Sequence, residues 1–523
     1  MRRSLLMVLC ITLVGLVVPA AAGAATPRVG HIGLSPSSGD NLSIDLWITQ
    51  NDQGASTSWA PWSDPTHASN LDGKFNFWYR PVGQGWWNGW GSQPHTDPAA
   101  FWNVSFPVSG ALAAYEWLAE PKWWDDQTSE WIETSVPASG YGAFVTPPDS
   151  DDDFVVGVYG DMNTGSHVVV SSPTATNAFT AVLDALHGGT VDADVAFCLG
   201  DMLRDTAESN DETCRDHARQ YFVAEDPHLG LYRTIWRCYG DNDWGDDGTP
   251  ESERRDLFRD LWPSFGYDFY YSRAIGDVTF VVLNNRNWDY DGQIGYFGED
   301  DTTTGDGDPA NTTQGQWLQD TLESLTSDGT ADANIVVVSH RPFVNGKYDK
   351  PYSGYHIVSA WDPVDQRDEW VFQADTTIDT NGEKEREALL DLFAKHGVDL
   401  LLCGDIHAYK RTDITVTKSN TNYTIPQICC GPAWSSWRDH GDQGTALPPA
   451  VYNGDKVPPL GANEIGVDDS DFADSERMAL KLTRLASGDQ WQVKPYKIST
   501  SSTTEVGAAY NETFSAVPSG CTH

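Results

Sequence analysis

Lys395-His396-Gly397-Val398-Asp399-Leu400-Leu401-Leu402-Cys403-Gly404-Asp405-Ile406-His407-Ala408-Tyr409-Lys410-Arg411-Thr412 is the stretch on which the reading of this chain turns. Upstream of it, the pattern from about Glu383 to Lys395 predicts a helix, and Gly397 is a good residue to stop one. Val398 to Cys403 is a short apolar run, the pattern of a buried strand. The run breaks at Gly404-Asp405-Ile406-His407, so a carboxylate and an imidazole sit on a loop directly after the strand.

The same succession recurs upstream. Apolar strands end in Gly160-Asp161-Met162-Asn163, Gly200-Asp201-Met202-Leu203, Gly240-Asp241-Asn242-Asp243 and Ser339-His340. Helical stretches alternate with them. Phe179, Val182, Leu183 and Leu186 recur at i, i+3, i+4 and i+7, and a helix from Thr313 turns Trp317, Leu318, Leu322 and Leu325 inward. Such alternation implies a layered α/β domain. In open α/β sheets ligands bind beyond the carboxyl ends of the strands, so loops far apart in sequence can meet there. Taken singly each motif is weak, because Gly-Asp after a strand is a common turn and a lone His is commonly a core or surface residue. Their order and shared strand context carry the reading. Near the end, Met478 to Leu485 and Trp491 to Ile498 flank Ser487-Gly488-Asp489 and read as a β-hairpin.

From Thr26 to Thr146 the sequence is rich in Trp, Gly and Pro, with period-2 runs such as Leu42 to Ile48 and Phe75 to Tyr79 that indicate an all-β domain. Pro147-Pro148-Asp149-Ser150-Asp151-Asp152-Asp153 reads as a linker. Trp86, Trp87 and Trp90 suit core and interface packing, with sugar binding as the other use of such rings. At the front, Met1-Arg2-Arg3, an apolar run from Leu5 to Val18 and small residues from Ala20 to Ala25 form the pattern of an export signal. The expected parts are a signal peptide at 1–25, a β-sandwich at 26–150 and the α/β domain at 151–523. The expected location is secreted or periplasmic. No later run is long and apolar enough for a transmembrane helix.

Lys+Arg of 33 against Asp+Glu of 75 gives a formal charge of -42, with a 40% hydrophobic share that suits a folded chain. No basic stripe exists to replace the counterions of a nucleic acid, which disfavours that partner. A surface this acidic repels itself in dilute buffer, and molar salt, with a Debye length of about 3 Å, removes most of that cost. The composition suits a high-salt environment or simply an acidic secreted protein. Cys10 lies in the export signal, which leaves an odd number of the 8 cysteines. Cys198 and Cys403 read as small buried hydrophobes, while Cys214, Cys238, Cys429, Cys430 and Cys521 are candidates for bridges of open connectivity.

From Phe154 to Arg411 the chain resembles the calcineurin-like metallophosphoesterases, and among them the purple acid phosphatases; Lys395 to Thr412 matches that family's last motif closely. The resemblance implies an α/β fold, a four-layer αββα sandwich, preceded by a fibronectin type III-like β-sandwich. It also implies two metal ions. Asp161 and His407 correspond to ligands of the first, Asp201 to the bridging ligand, and His340, Asp241 and Asp405 to ligands of the second. The chain departs from the family at several places. Asp241 and Asp405 replace the usual Asn and His, and Asn163 stands where many members have His. Arg204 takes the place of the colour-giving Tyr. Carboxylates harden the site toward oxygen-loving ions, so Mn, Fe, Ca or Mg fit better than Zn. Asn242 stands where the family carries its acid histidine, and an amide cannot donate a proton to a leaving alkoxide. In a second register Asn242 is the ligand and Asp243 its support. Arg204 and Arg341 are candidate phosphate contacts.

The resemblance implies hydrolysis of a phosphomonoester by a metal-activated hydroxide that attacks phosphorus in line. Phosphodiester hydrolysis is the nearest alternative. The other class of function is an extracellular metal- or phosphate-binding protein with a degenerate site, motivated by Asn242.

Overall fold

A computed structural model describes residues 28–36, 41–49, 73–94, 101–108, 110–125, 130–133, 141–150, 152–161, 181–186, 189–201, 234–240, 243, 270–284, 314–326, 334–343, 355–362, 367–374, 389–405, 407, 409–418, 421–433, 461–466, 476–499, 501–506 and 512–515. The export signal expected at 1–25 and residues Asn163, Arg204, Asp241 and Asn242 lie outside them. The described part is a mixed α/β protein, mostly sheet with few helices. Among the described residues no helix is long and apolar enough to cross a membrane.

The described residues of the front part form strands and turns, as its period-2 runs predict. β1 (Arg28–Pro36), β2 (Asn41–Thr49) and β5 (Phe101–Pro107) form a three-stranded antiparallel sheet. β3 (Gly73–Pro81), β4 (Asn88–Pro94), β6 (Ala114–Asp125), β7 (Glu130–Glu133) and β8 (Tyr141–Val145) form a second sheet, in which β6 pairs with β3, β7 and β8. Phe77, Tyr79, Tyr115 and Trp117 are buried on it, and the Phe77 and Trp117 rings stack with centroids 6.2 Å apart. Thr146 Oγ1 donates to Gly110 O at 2.7 Å and accepts from Ala113 N at 2.7 Å, tying the end of β8 to the turn before β6.

Two seven-stranded sheets follow. In the first, β9 (Phe154–Tyr159), β10 (Val195–Cys198) and β11 (Thr234–Arg237) are parallel. The second contains β12 (Tyr271–Ile275), β13 (Val278–Val282), β14 (Asn334–Ser339), β17 (Val398–Cys403), β18 (Lys410–Lys418), β19 (Thr421–Cys429) and β20 (Gly461–Gly466), in the order β12-β13-β14-β17-β19-β18-β20. Its β13, β14, β17 and β19 are parallel neighbours. β15 (Tyr355–Asp362) and β16 (Arg367–Ala374) form a separate hairpin. The predicted hairpin near the end is β21 (Arg477–Leu485) and β22 (Gln490–Ile498), and β21 pairs antiparallel with β9. β23 (Thr503–Glu505) and β24 (Glu512–Ser515) both pair with β22 and complete the first sheet.

Every residue of β9, β14 and β17 is buried, as expected for central parallel strands covered on both faces. Alternate residues divide between two cores. Val336, Val338, Leu400 and Leu402 face the first sheet, where Phe197 of β10 stacks on Phe280 of β13 at 4.7 Å. Ile335, Val337, Leu401 and Cys403 pack instead with Leu318 and Leu322 of the helix Gln314–Thr326 and with Leu389, Leu390 and Phe393 of the helical residues 389–395. On the outer side of the first sheet, a Cβ on Gly157 would strike Leu186 of the helical residues 181–186. The second helix of the second core ends at Gly397, whose φ of +65° is the left-handed conformation that suits glycine after a helix. Truncating one of these fully buried leucines to Ala costs roughly 2–5 kcal/mol.

The parallel strands of both sheets deliver their carboxyl ends to one end of this double sheet. Asp161 follows β9, Asp201 follows β10, the Gly240 loop follows β11, His340 follows β14, and Asp405 and His407 follow β17.

Candidate metal centre

Asp161, Asp201 and His407 are all buried, and one donor atom from each lies within 4.8 Å of the others. His407 Nε2 is 3.5 Å from Asp161 Oδ1, and His340 Nε2 is 3.1 Å from Asp201 Oδ1. Donors held about 2.1 Å from one cation stand about 3.0–3.4 Å apart at octahedral or tetrahedral angles; the His340–Asp201 pair has that spacing and the His407–Asp161 pair lies just beyond it.

His340 shows how the site is prepared. Its Nδ1 lies 2.7 Å from Leu199 O, and a carbonyl can only accept, so Nδ1 carries the proton. With Nδ1 engaged by the backbone, Nε2 is the ring nitrogen that faces Asp201. A backbone carbonyl that fixes the tautomer in this way is the usual outer support of a metal-binding histidine. The Asp405 backbone N–H donates to Asp161 Oδ1 at 2.9 Å, which orients that carboxylate and ties the first loop to the fifth. A buried group of two aspartates and a histidine, held in this manner, can hold a metal ion.

The backbone carries strain at the same place. Asp161, Asp201, Asp405 and His407 have φ of 54°, 54°, 66° and 52°, and among the described residues only three other non-glycine positions are positive. Left-handed backbone at such residues costs of order 1–3 kcal/mol each and gathers at functional sites. Close approach explains the preceding glycines. A Cβ on Gly200, at φ +94°, would come within 2.7 Å of His340 Nδ1 and 2.8 Å of Gly240 N; one on Gly404 would come within 2.9 Å of Leu199 O. The Gly-Asp pairs are thus set by space as well as by turn geometry.

The remaining expected residues fall as follows. Asp405 is half-buried at the edge of the cluster, contributing its N–H as described. Asp243 is buried, and its Oδ2 accepts from Gly240 N at 2.8 Å, closing the third loop on itself. Arg341, beside His340, is largely buried and its carbonyl accepts from Ser339 Oγ at 2.9 Å. Asn163, Arg204, Asp241 and Asn242 are outside the described residues. A sixth loop, Cys430-Gly431-Pro432, also borders the cluster. Gly431 backs directly onto the Asp161 carboxylate, and Ala433 N donates to Gly160 O at 2.8 Å. Its only sequence signal is a Gly-Pro pair after a strand.

The cysteine expectation needs correction. Cys238, Cys429 and Cys430, counted as candidates for bridges, are free and buried, as are Cys198 and Cys403. They end strands beneath the centre and act as small hydrophobes. Burial pushes the Cys238 thiol up to about 12, with His340 opposing the shift, and raises Cys430 well above the usual thiol range, with nearby Asp161 adding to the shift. Such thiols are unreactive at neutral pH.

No family model matches the chain, and no curated protein matches it. Among solved structures, the sensor domain of the anti-sigma factor RsgI4 of Pseudobacteroides cellulosolvens is similar over 23% of this chain and 93% of its own, at 10% identity and a TM-score of 0.14. At that score the likeness carries no argument about this protein.

Proposed function

We propose that the protein is an exported, metal-dependent phosphoesterase of the calcineurin-like kind, acting on phosphomonoesters at a centre for two cations. The observation that carries the reading is the convergence of Asp161, Asp201 and His407, with His340 Nε2 turned to Asp201, at the carboxyl ends of parallel strands from two facing sheets. Helical residues outside both sheets support a four-layer αββα arrangement, and the all-β front part is compatible with a fibronectin type III-like domain.

In this reading Asp161, His407 and Asp201 would hold one cation, and Asp201, His340 and Asp405, with Asp241 or Asn242, would serve a second. The Asp243–Gly240 bond supports the register in which Asp243 braces the loop and Asn242 is the ligand. Arg341 and Arg204 contact phosphate. Cations held here supply Lewis acidity toward phosphoryl oxygens and a water nucleophile at neutral pH. The chain's own residues aim the lone pairs, exclude solvent beneath the site and set its charge. Two buried carboxylates make the centre attractive to oxygen-loving divalent ions.

The test is metal analysis together with turnover of aryl phosphate mono- and diesters in molar salt. Asp201→Asn is expected to lower kcat/KM by about 10²–10³ or more, and unchanged turnover refutes the assignment. With no histidine acid, aryl esters are expected to be cleaved far faster than alkyl esters. Equal rates would reveal another proton donor. Cation binding without turnover of any ester favours the binding-protein alternative, which Asn242 keeps open.

A further inference from the structure

Asn284 follows β13 at the same end of the second sheet as the metal centre. The β13–β14 ladder pairs Val278 with Asn334 and Val282 with Val338, and Leu283 N continues it by donating to Val338 O at 2.8 Å. The same register brings Asn284 level with His340. Side chains alternate along β13: Phe280 and Val282 face the first sheet, and Val281 and Leu283 face the helices. Asn284 is next in the first series. His340, two residues beyond Val338, likewise continues the series of Val336 and Val338, and its ring reaches Leu199 and Asp201 of the first sheet. The carboxamide and the imidazole thus belong to one row on one face.

Two further observations make Asn284 more than a strand end. Its backbone is held on both sides by one side chain: Asn284 N donates to Gln314 Oε1 at 2.7 Å, and Gln314 Nε2 donates to Asn284 O at 2.9 Å. Gln314, buried at the start of its helix, stands in for the peptide group of a further strand and fixes where the Asn284 side chain begins. Meanwhile Asn284 Oδ1 is shielded from solvent and has no hydrogen-bond partner among the described residues. A buried carbonyl oxygen without a donor is costly to keep unless another group satisfies it. Next to it, Cys238 Sγ lies 3.4 Å from Leu283 O, so the end of β11 packs against the backbone that leads into Asn284.

We propose that Asn284 is an additional ligand residue, giving its neutral side-chain oxygen to the divalent cation on the His340–Asp201 side. The inference rests on the metal-centre reading above and adds a ligand to it. A neutral oxygen donor suits a site already crowded with carboxylates, because it binds a hard cation without adding negative charge.

The test is Mn²⁺ titration calorimetry on the full chain after chelator treatment, comparing wild type with Asn284→Ala, Asn284→Gln and Asn284→Asp, with Tm measured in chelator. Asn284→Ala is expected to weaken one class of Mn²⁺ site about 10- to 100-fold, leaving the other class unchanged. Asn284→Asp is expected to restore or tighten it. Asn284→Gln, which displaces the oxygen by one methylene, is expected to weaken it and serves as the second reading if the alanine variant does not fold. Unchanged Mn²⁺ affinity in Asn284→Ala or Asn284→Gln overturns the ligand role while leaving the metal centre standing. A lower Tm in chelator with unchanged affinity also overturns it, because that is the mark of a packing residue. Absence of any Mn²⁺ binding by wild type overturns both this inference and the metal centre.

Discussion

Arg484 and Asp201 are buried ionic groups at opposite ends of the same double sheet, and their surroundings balance them differently. Arg484 leaves β21 beside the start of β9, and its guanidinium, 1% exposed, is 2.6 Å from Asp277 Oδ2 and 2.5 Å from Asp489 Oδ1. Asp277 belongs to the turn between β12 and β13 in the other sheet, so the pair fastens one sheet to the other. Burial opposes the charge on Arg484, but the bonds to Asp277 and Asp489 outweigh it and leave its pKa raised. At the far end, Asp201 and Asp161 meet His340 and His407, and Nδ1 of His340 is committed to Leu199 O. The first arrangement is complete within the chain. The second gathers two carboxylates, imidazoles and left-handed backbone in one place, an arrangement that could hold a cation.

The sharpest way to break this contrast is to remove charge at each end and measure stability in chelator by chemical denaturation. Arg484→Met is expected to cost about 3 kcal/mol, since it leaves Asp277 without its cation. Asp201→Asn, which relieves the crowding of buried carboxylates, is expected to cost nothing or to stabilise by up to about 1 kcal/mol. Equal losses at both ends would mean that the centre is an ordinary ion-pair network.

A second comparison concerns glycine. Gly200→Ala puts a Cβ against His340 and Gly240, whereas Gly397→Ala, also at positive φ, meets nothing within 4 Å. Gly397→Ala should cost about 1 kcal/mol. Gly200→Ala should cost about 2 kcal/mol more and reduce cation affinity as well. Matching costs and unaltered affinity would remove close approach as the reason for glycine at position 200.

The smallest effect sharpens the account of the Arg484 end. Burial raises the Asp399 carboxyl well above its ordinary value, and the Ile335 N–H at 2.9 Å opposes that shift only in part. A carboxyl raised in the folded chain favours folding below its unfolded pKa and loses that contribution as pH climbs through its folded pKa. Asp399→Asn keeps an acceptor for Ile335 and removes the charge. It is expected to add on the order of 1 kcal/mol at pH 8 and nothing below about pH 4. A gain independent of pH would contradict burial of the charge as the cause.

Much of this was legible in the sequence where signals are local. The unbroken apolar run of β17, the Leu318–Leu322 face of the helix Gln314–Thr326 and the β21–β22 hairpin follow the period of their side chains. The pairing of β21 with β9 was not legible, because Leu480 and Val158 are joined by register alone across most of the domain. The candidate ligands could be read because each follows a buried strand. Leu199 O and Gly431 could not, since a backbone carbonyl and a missing Cβ carry no chemical signature until the two sheets face one another. The cysteines misled for a related reason: their spacing does not reveal that Cys238, Cys429 and Cys430 end strands within the core.

We propose that a cation completes the end of the double sheet where Asp161, Asp201, His340 and His407 meet. The most direct measurement is the Tm of the full chain in molar salt, in chelator and with added Mn²⁺, for wild type and for the Asp161→Asn, His407→Ala double variant. Cation at 100 times its Kd is expected to stabilise wild type by about 2.7 kcal/mol, with no shift in the double variant. An unchanged Tm in wild type, or an equal rise in both proteins, would contradict the account.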